Sequence, residues 1–418
     1  MRIINIIPHP PAYSAYENQP RPQFNWDTPQ GNWVGIWGYD WPDQLGTEVR
    51  KLDPSIEYQV WQPDLRADKI YEQTLEGGVC HKLFPAASRK ARDWTAPGIL
   101  SESIQHAVER FRGHEATIVH LNYLRDPLCN SILDRALGLR VLLEFHGTIS
   151  LPAKEIWKPT WKLTRMFTLV RESRLLKKRL RQVHVVVHKN VVNVDALQRV
   201  FSGPLRKITM GVDFEFWKRG DKNEARSRLG YPQDAFIFLS VSRLIDLKQI
   251  DRFMNVLKSM KCPRKIMYVI VGDGDSSYVR SLQELATNAP ENVGFSLPGY
   301  IPGSKLLDLF SAADLFVSTS LSEGASVACM EAMACEVPIL TTDVGATTEL
   351  LQANEKGVVV GKRDYKGWAE VVVDILDGRK AVEPVSRIGA LNEYHWPNVA
   401  ARFLSTYAQV QDLAHRGA

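Results

Sequence analysis

Short apolar runs alternate along the chain with amphipathic stretches of helical period. This rhythm predicts strands joined by helices, and therefore parallel sheets. The polar segment 218–228 separates two series of strand-like runs and is expected to be a linker. The pattern therefore predicts an α/β protein with two Rossmann-like, doubly wound parallel sheets. The runs are 3–7, 56–61, 117–121, 140–145, 183–187 and 207–210, then 235–241, 265–271, 315–318, 337–341 and 357–360.

Length and composition agree with two folded domains. The chain has 418 residues, more than one core usually serves, and its 44% hydrophobic and 24% charged residues are typical of a globular protein. We expect domains at 1–205 and 206–390, with a final helical segment at 391–418. The five cysteines are scattered without paired metal-ligand spacing, which argues against disulfides and a zinc site.

The sequence also bounds location and partners. No run approaches the roughly eighteen apolar residues of a membrane-spanning helix. The start, MRIINIIPHPP, lacks the cleavage pattern of a signal peptide, so the protein is expected to be cytoplasmic. The net charge of +5 is modest for this length, and no recognition motif for nucleic acid accompanies it.

The densest candidate site follows the strand predicted at 315–318. Glu323 lies in the strand-to-helix loop, and Glu331 lies one or two turns into the helix that follows. A helix that begins there directs unpaired N–H groups and a positive dipole end toward a ligand above the sheet. That arrangement suits a diphosphate or a sugar hydroxyl. Taken alone, the two glutamates are also typical of a helix cap and a solvated side chain.

A pair of cations, Arg243 and Lys248, follows the first strand of the second series. Fixed cations there can stabilise the charge that a diphosphate leaving group gains in the transition state, with no need for a metal ion. Taken alone, such a pair is also typical of surface charge.

These motifs resemble the signature of family 4 retaining glycosyltransferases of the GT-B fold. The match rests on the EG and EAMA sequences within 323–334 and on the cation pair; the family usually has glycine where this chain has Ser242 and Gln249. The resemblance implies that Glu323 contacts the donor sugar and Glu331 the ribose hydroxyls, while the two cations hold the diphosphate. It also implies two domains that face each other across a cleft, with the donor on the second domain and the acceptor on the first.

Weaker matches extend the resemblance over residues 205–410. The segment 210–213 is similar to the family's Asn-Gly-Val-Asp crossover, Gly345 and Glu349 to its Gly-Gly-x-x-Glu, and 395–397 to the start of a helix that crosses back to the first domain. In the first half, His146 follows a predicted strand at the place of a family histidine near the reacting sugar. A lone histidine there is otherwise a structural hydrogen-bonding group. The further residues that the resemblance assigns to donor and nucleotide are Gly324, Ala325, Ser326, Gly272, Tyr300 and Ile301.

The sequence Asp273-Gly274-Asp275 allows two interpretations. Two aspartates with this spacing after a strand can hold Mn²⁺ under a diphosphate. The flanking glycines favour a turn beside the nucleotide, and no third glycine is present at dinucleotide spacing. We therefore expect neither a metal ion nor a nicotinamide cofactor.

Two segments of the first half bear on the acceptor. Aromatic residues crowd 8–42, where they suit stacking on a sugar or pack on one another in a compact loop. A basic amphipathic segment, Lys154 to Arg181, can contact an anionic membrane or an anionic acceptor, and it is equally typical of a solvated helix. The aromatic candidates for the acceptor side are Trp26, Trp33, Trp37 and Trp41.

The function expected from these observations is transfer of a sugar from a UDP- or GDP-sugar to a sugar, lipid-linked or small-molecule acceptor. Retention of configuration is expected because no carboxylate of the first domain plainly serves as the general base of an inverting enzyme. Glu144 lies within a strand and is expected to point away from the cleft. The catalytic candidates are His146, Glu323, Arg243 and Lys248. The alternative is a nucleotide-sugar epimerase, or a protein that binds such a donor without transferring it.

Overall fold

The computed structural model describes residues 1–8, 41–65, 67–89, 98–123, 126–146, 163–190, 194–301, 303–354 and 356–416. The chain divides into two compact units. Among the described residues, the first unit contains those up to Thr209 together with the helix that begins at Trp396, and the second contains Met210–His395. None of the helices in these ranges is long and apolar enough to cross a membrane.

The first unit is built on a sheet whose described strands are ordered β10-β9-β8-β7-β1-β2-β4-β3. All neighbours are parallel except β3, which is antiparallel to β4. A separate antiparallel pair, β5 and β6, lies beside it in sequence. The strands are β1 (Arg2–Ile6), β2 (Glu57–Asp64), β3 (Tyr71–Thr74), β4 (Cys80–Pro85), β5 (Ala87–Arg89), β6 (Gly98–Leu100), β7 (Thr117–Asn122), β8 (Arg140–Phe145), β9 (Val185–His188) and β10 (Leu205–Lys207).

Successive side chains of this sheet enter two different cores. Ile4 of β1 belongs to one cluster and Ile3 to the other, as expected for a strand with both faces covered. Helices α2, α3 and α4 cover the first face, while α1 and α14 cover the second. The helices of this unit are α1 (Trp41–Leu52), α2 (Glu102–Glu109), α3 (Pro127–Leu133), α4 (Leu163–Leu180), α5 (Val194–Gln198) and, at the far end of the chain, α14 (Trp396–Arg416).

The second unit contains a parallel sheet whose described strands are ordered β13-β12-β11-β14-β15-β16. This order reverses direction between β11 and β14, which is the topological switch point of a doubly wound sheet. The strands are β11 (Phe236–Val241), β12 (Ile266–Val271), β13 (Val293–Gly299), β14 (Leu315–Ser318), β15 (Ile339–Thr342) and β16 (Val358–Val360). Its helices are α6 (Lys222–Leu229), α7 (Ile250–Ser259), α8 (Ser276–Thr287), α9 (Gly303–Ala312), α10 (Val327–Ala334), α11 (Gly345–Asn354), α12 (Tyr365–Leu376) and α13 (Arg387–Tyr394).

The interpretation of 218–228 as a linker is wrong in part, because α6 occupies most of it. Asp221 caps the start of this helix and Gly230 ends it in a left-handed conformation. Arg226 is buried and donates to the carbonyl oxygens of three residues, while its guanidinium pairs with Asp314 at 2.7 Å. The polar segment 222–229 is therefore part of the folded unit, because the buried guanidinium of Arg226 has hydrogen-bond and ion-pair partners.

A glycine holds two strand-end loops of the second unit together. Gly272, directly after β12, has φ +140°, and a Cβ atom added there would lie 1.8 Å from the carbonyl oxygen of Ser242 after β11. Backbone hydrogen bonds join the two loops, with Ser242 N donating to Val271 O at 3.0 Å and Leu244 N to Asp273 O at 2.9 Å. The loop after β11 can therefore lie against the loop after β12 only if residue 272 lacks a side chain.

We expect Gly272→Ala to destabilise the protein by about 3 kcal/mol or more, because the backbone conformation and the contact with Ser242 are both unfavourable for a side chain. Gly230→Ala is the matched control: its φ is +69°, but no atom lies within 4 Å of the added Cβ. That variant should lose only about 1–2 kcal/mol. Urea denaturation of both variants tests the difference, and equal losses would contradict the close approach.

Candidate functional site

A pocket opens at the switch point of the second sheet, between the carboxyl ends of β11 and β14. These strands pair directly, with Phe238 opposite Leu315 and Leu239 opposite Phe316, and the chain then leaves them in separate loops. Ligands of doubly wound sheets bind at this place. The residues lining the pocket are Val241, Ser242, Lys248, Ile250, Phe316, Val317, Ser318, Thr319, Ser320, Glu323 and Ser326.

Lys248 and Glu323 form an ion pair in this pocket although 75 positions separate them in the sequence. The Lys248 ammonium contacts Glu323 Oε1, and Ser320 Oγ donates to the same oxygen at 2.7 Å. Each of the two charged side chains is 14% exposed. The tertiary structure thus brings together two residues that the sequence assigned to one site from separate motifs.

Hydrogen bonds between the two loops fix this meeting. Leu321 N donates to Leu247 O at 2.9 Å, and Thr319 Oγ1 donates to Lys248 O at 2.6 Å. Thr342, at the end of β15, donates its hydroxyl to Ser320 O at 2.6 Å. The backbone on both sides of the ion pair is therefore held by the sheet itself.

Gln249 has the backbone conformation that explains a glycine in the related family. Its φ is +50°, and it joins the short 3₁₀ turn Asp246–Lys248 to helix α7. The side chain is buried; in the amide orientation that satisfies its partners, the nitrogen donates to Lys362 O and Thr319 O, while the oxygen accepts from the Tyr365 hydroxyl. These bonds offset the cost of a left-handed residue with a side chain.

Helix α10 begins at the edge of the pocket. Ser326 caps it, since its hydroxyl oxygen accepts a hydrogen bond from Cys329 N at 3.4 Å. The preceding loop, with Gly324 and Ala325, packs against the start of α11: Ala346 N donates to Gly324 O at 3.1 Å, and a Cβ on Gly345 would lie 2.4 Å from Glu323 O. Residue 345 must therefore lack a side chain for the two segments to pack this closely. Glu349 lies one turn further along α11.

Glu331 lies within α10 and is not among the residues that line the described pocket. Its side chain is partly buried, and burial raises the pKa of this carboxyl to about 7. A carboxyl with this pKa can accept a hydrogen bond when ionised and donate one when protonated.

The other nucleotide candidates lie at the same edge of the sheet. Arg243 is exposed and directly follows Ser242 of the pocket wall. Tyr300, which is 65% exposed, and Ile301 follow β13, and Gly272 N donates to Gly299 O at 2.9 Å beside them. The described pocket lining does not include any of these three side chains.

The residues of 273–275 have local partners, and Gly274 forms a parallel bridge with Leu244. Asp275 caps α8 by accepting from Ser277 N at 2.9 Å and Tyr278 N at 3.0 Å. Asp273 accepts from the backbone N–H of Gly274 at 2.7 Å. Both carboxylates thus accept hydrogen bonds from nearby backbone N–H groups, and metal independence stays a prediction.

In the first unit, His146 follows β8 and lies between two aromatic rings. The ring centroid of Trp41 is 5.0 Å away, and Tyr123 stacks on the imidazole at 4.5 Å. Its Nε2 atom lies 3.0 Å from Asn122 Oδ1 and 3.4 Å from Glu144 Oε1. The other acceptor-side candidates, Trp26, Trp33 and Trp37, lie outside the described residues.

Glu144 and Lys189 belong to this environment, although neither was a candidate site residue from the sequence. The Glu144 side chain is buried and meets that of His146 at 3.4 Å, and its expected direction away from the cleft stays a prediction. Residues two apart in a strand share a face, so the alternation of β8 was the available signal. The Lys189 ammonium pairs with Glu144 from the end of β9, a contact for which the sequence gave no signal.

Two remaining motifs have structural contacts. Val212 forms a parallel bridge with His395, and Val212 N donates to Tyr394 O at 2.7 Å, so the ends of the second unit pair with each other. Of the basic segment, 154–162 lies outside the described residues. In α4, Arg179 makes two hydrogen bonds with Asp134 at 2.7 and 2.8 Å, and the exposed cations are Arg171, Arg174, Lys177 and Lys178, followed by Arg181. Contact with an anionic membrane stays a prediction.

Comparison with known proteins adds evidence on the second unit. Residues 221–390 match the model of the family described as glycosyl transferases group 1. D-inositol 3-phosphate glycosyltransferase 1 of Catenulispora acidiphila is 30% identical over 209 residues, which are 47% of this chain and 50% of that protein. D-inositol 3-phosphate glycosyltransferase of Thermobispora bispora is 26% identical over 245 residues, 55% of this chain and 57% of that protein. This chain spans about half the length of the curated relatives it matches.

Solved structures resemble the whole chain in fold. Sucrose-phosphate synthase of Thermosynechococcus elongatus has a TM-score of 0.70 at 18% identity and covers 98% of both chains. HepE of Anabaena, in complex with UDP, has a TM-score of 0.66 at 15% identity, covering 98% of this chain and all of that one. The predicted GT-B fold is thereby confirmed. The match to the glycosyl transferases group 1 model covers residues 221–390, which contain Arg243, Lys248, Glu323 and Glu331, so the second unit is similar to that family.

Proposed function

We propose that this protein is a retaining glycosyltransferase that takes a sugar from a nucleotide-diphosphate donor without a metal ion. The observation that carries the proposal is the meeting of Lys248 and Glu323 in the pocket at the switch point. When a donor binds there, the Lys248 ammonium can contact the diphosphate and the Glu323 carboxylate can accept a hydrogen bond from a sugar hydroxyl. The match of residues 221–390 to the glycosyl transferases group 1 model supports the same reaction class.

The proposed diphosphate position is defined by donors at one pocket wall. Lys248 supplies an ammonium group, and the start of α10 at Ser326 supplies backbone N–H groups and a positive dipole end. Among the described residues, the buried Ser242 hydroxyl of the same wall has no hydrogen-bond partner. A phosphate oxygen would accept from these donors, and Arg243 would reach it from the next position in the loop.

Glu323 has a role on the sugar side in this proposal. Its carboxylate accepts from Lys248 and from the Ser320 hydroxyl. When the ammonium turns to the diphosphate, the carboxylate can accept from hydroxyls of the donor sugar instead. Glu331, further along α10, would accept from the ribose hydroxyls.

The proposed chemical step uses an oxygen of the donor's own diphosphate as the base. The bond between the anomeric carbon and the diphosphate oxygen breaks, and the acceptor oxygen attacks from the same face. The departing phosphate oxygen takes the acceptor's proton, while Arg243 and Lys248 stabilise the negative charge it gains. The resemblance to the family assigns the orientation of the sugar to His146.

UDP-glucose is the first donor to test. HepE, which shares the fold, was solved with UDP and with UDP-glucose. Hydrolysis of UDP-glucose to UDP and glucose measures the donor half of the reaction without an acceptor, and GDP-mannose gives the comparison for the other base.

We expect Arg243→Ala and Lys248→Ala each to reduce donor turnover by roughly a hundredfold, equivalent to about 3 kcal/mol, because a fixed cation is lost from the leaving group. Lys356→Ala is the control, since Lys356 pairs with Glu383 on the surface of the same unit. UDP release is the readout, and denaturation midpoints show whether each variant folds. Near-normal turnover in the first two variants would remove the phosphate assignment.

Chelation tests metal independence. Donor turnover should persist in EDTA, because Arg243 and Lys248 supply the positive charge that a metal ion would otherwise provide. Loss of turnover in EDTA, its recovery with Mn²⁺ and the same loss in Asp273→Asn would together favour the aspartates of 273–275 instead. Asp275→Asn keeps a capping side chain on α8 and is the matched second variant.

The stereochemistry of the released sugar tests retention. An α-linked donor should first give the α-anomer of glucose, because the attacking oxygen enters on the face that the diphosphate leaves. Time-resolved NMR of the anomeric proton, before mutarotation, distinguishes the anomers. A β-anomer at the earliest times would refute retention, and return of an isomerised donor would identify an epimerase.

A further inference from the structure

A closed set of polar side chains lies beneath His146 in the first unit, on the sheet face covered by α1 and α14. Its members come from five strands or strand ends and from α14, and the side chains of Glu144, His120 and Lys189 are at most 2% exposed. The set comprises Asn5, Tyr58, His120, Asn122, Glu144, His146, Lys189 and Tyr407.

The contacts assign donors and acceptors in one consistent direction. Asn122 Nδ2 donates to Asn5 Oδ1 at 2.6 Å and to Ile6 O at 3.0 Å, so its carbonyl oxygen faces His146 Nε2. Asn5 Nδ2 donates to the Tyr58 hydroxyl at 2.9 Å. Asn122 Oδ1 and Glu144 Oε1 are both acceptors and lie near His146 Nε2, so we place the ring proton on this nitrogen.

A second series of contacts leads from Tyr58 through Tyr407 and His120 to Oε2 of Glu144. The Tyr58 and Tyr407 hydroxyls lie 3.5 Å apart, and the Tyr407 hydroxyl lies 2.9 Å from His120 Nδ1. With Tyr407 as the donor, His120 carries its proton on Nε2, which lies 2.8 Å from Glu144 Oε2. In this arrangement each of these contacts joins a donor to an acceptor or a cation to a carboxylate, and both histidines carry their proton on Nε2.

The charges of Glu144 and Lys189 are paired with each other but are removed from water. Burial alone would raise the pKa of Glu144, but Lys189, His146 and His120 hold it well below its ordinary value. Burial lowers the pKa of Lys189, and Glu144 opposes that shift. The Lys189 ammonium also lies 5.6 Å from the Trp41 ring centroid and 5.7 Å from that of Phe403.

A buried ion pair of this kind usually adds little to stability compared with apolar residues of the same size, because desolvation offsets the attraction. The Glu144–Lys189 ion pair is therefore expected to act on a neighbouring side chain more than on the free energy of unfolding. That side chain is His146, the ring of the network that is partly exposed.

We infer that Lys189 and Glu144 are positioning residues that, with Asn122, hold the His146 imidazole with its proton on Nε2 and directed into the protein. Glu144 orients the ring and stabilises its charged form, while Lys189, the second cation on the same carboxylate, opposes the addition of a proton to the ring. The consequence for turnover rests on the proposed function; the protonation of the ring does not.

The test is NMR of the ring nitrogens in ¹⁵N-histidine-labelled protein, with His146→Asn to assign the signals. In the unsubstituted protein the neutral His146 ring should be the Nε2–H form. Glu144→Gln should lower the titration midpoint of His146 by about one pH unit or more, because an opposite charge within hydrogen-bonding range is removed. Lys189→Met should raise it, because a like charge is removed.

Positioning by charge predicts that the two variants shift the His146 midpoint in opposite directions. Loosening of the fold would instead move the midpoint of both variants toward that of an exposed histidine. The titratable groups of the network are Glu144, Lys189, His120, Tyr58 and Tyr407, and Tyr123 stacks on the His146 ring. The control alters none of them. Glu57→Gln, which removes an exposed carboxylate of β2 paired with Arg2, is that control and should leave the His146 midpoint unchanged.

Shifts of the same sign, unchanged midpoints or an Nδ1–H ring in the unsubstituted protein would overturn the inference. If Lys189→Met does not fold, the double variant Glu144→Gln/Lys189→Met leaves no unpaired charge and should have a midpoint above that of Glu144→Gln alone. With UDP-glucose as the probe, Glu144→Gln should lose at least about tenfold in kcat and displace its pH profile by the NMR shift. A lack of turnover in the unsubstituted protein would count against the proposed function and leave the NMR result to decide the positioning role.

Discussion

The reversal of strand order between β11 and β14 is the constraint on which the candidate site depends. Adjacent parallel strands at a switch point send their loops in opposite directions, and this leaves a gap at their carboxyl ends. Lys248 arrives in that gap from one loop and Glu323 from the other, with Thr319 and Leu321 bonding the two loops through backbone atoms. An ion pair between residues far apart in sequence is thus a direct consequence of the order in which strands pair.

The departures from the related family's glycines have different physical meanings. Gln249 retains the left-handed backbone for which glycine is suited, and its buried amide offsets the cost through hydrogen bonds. Ser242 instead adds a hydroxyl to the pocket wall without requiring a special backbone angle. The loop after β11 therefore keeps its path while the chemistry of its surface changes.

The switch point of the first sheet carries two hydrogen-bonded asparagines. This sheet reverses order between β1 and β7, where the second unit has a pocket lined by Lys248 and Glu323. In the first unit Asn5 and Asn122 fill that position and bond to each other. The amide of Asn122 then connects the sheet to His146, so the same topological feature supports a polar network instead of the described pocket.

The sequence by itself determined the strands that are buried on both faces, because such strands are continuous runs of Val, Ile and Leu. Lys248 and Glu323 became candidates from their positions after strands, whereas Gly345 was named only by resemblance to the family. It did not indicate β3, β4 or β13: β3 and β13 end their sheets and are partly exposed, and β4 alternates polar and apolar residues.

Only the tertiary structure decided which charges meet. The contact of Glu144 with His146 follows from the two-residue repeat of β8, so the sequence contained it. The contact of Glu144 with Lys189 depends on β8 and β9 being neighbours, and that of His120 with Tyr407 depends on α14 packing on the first sheet. Periodicity fixes which face a side chain occupies, but the pairing of distant elements fixes its partner, and no local pattern encodes that choice.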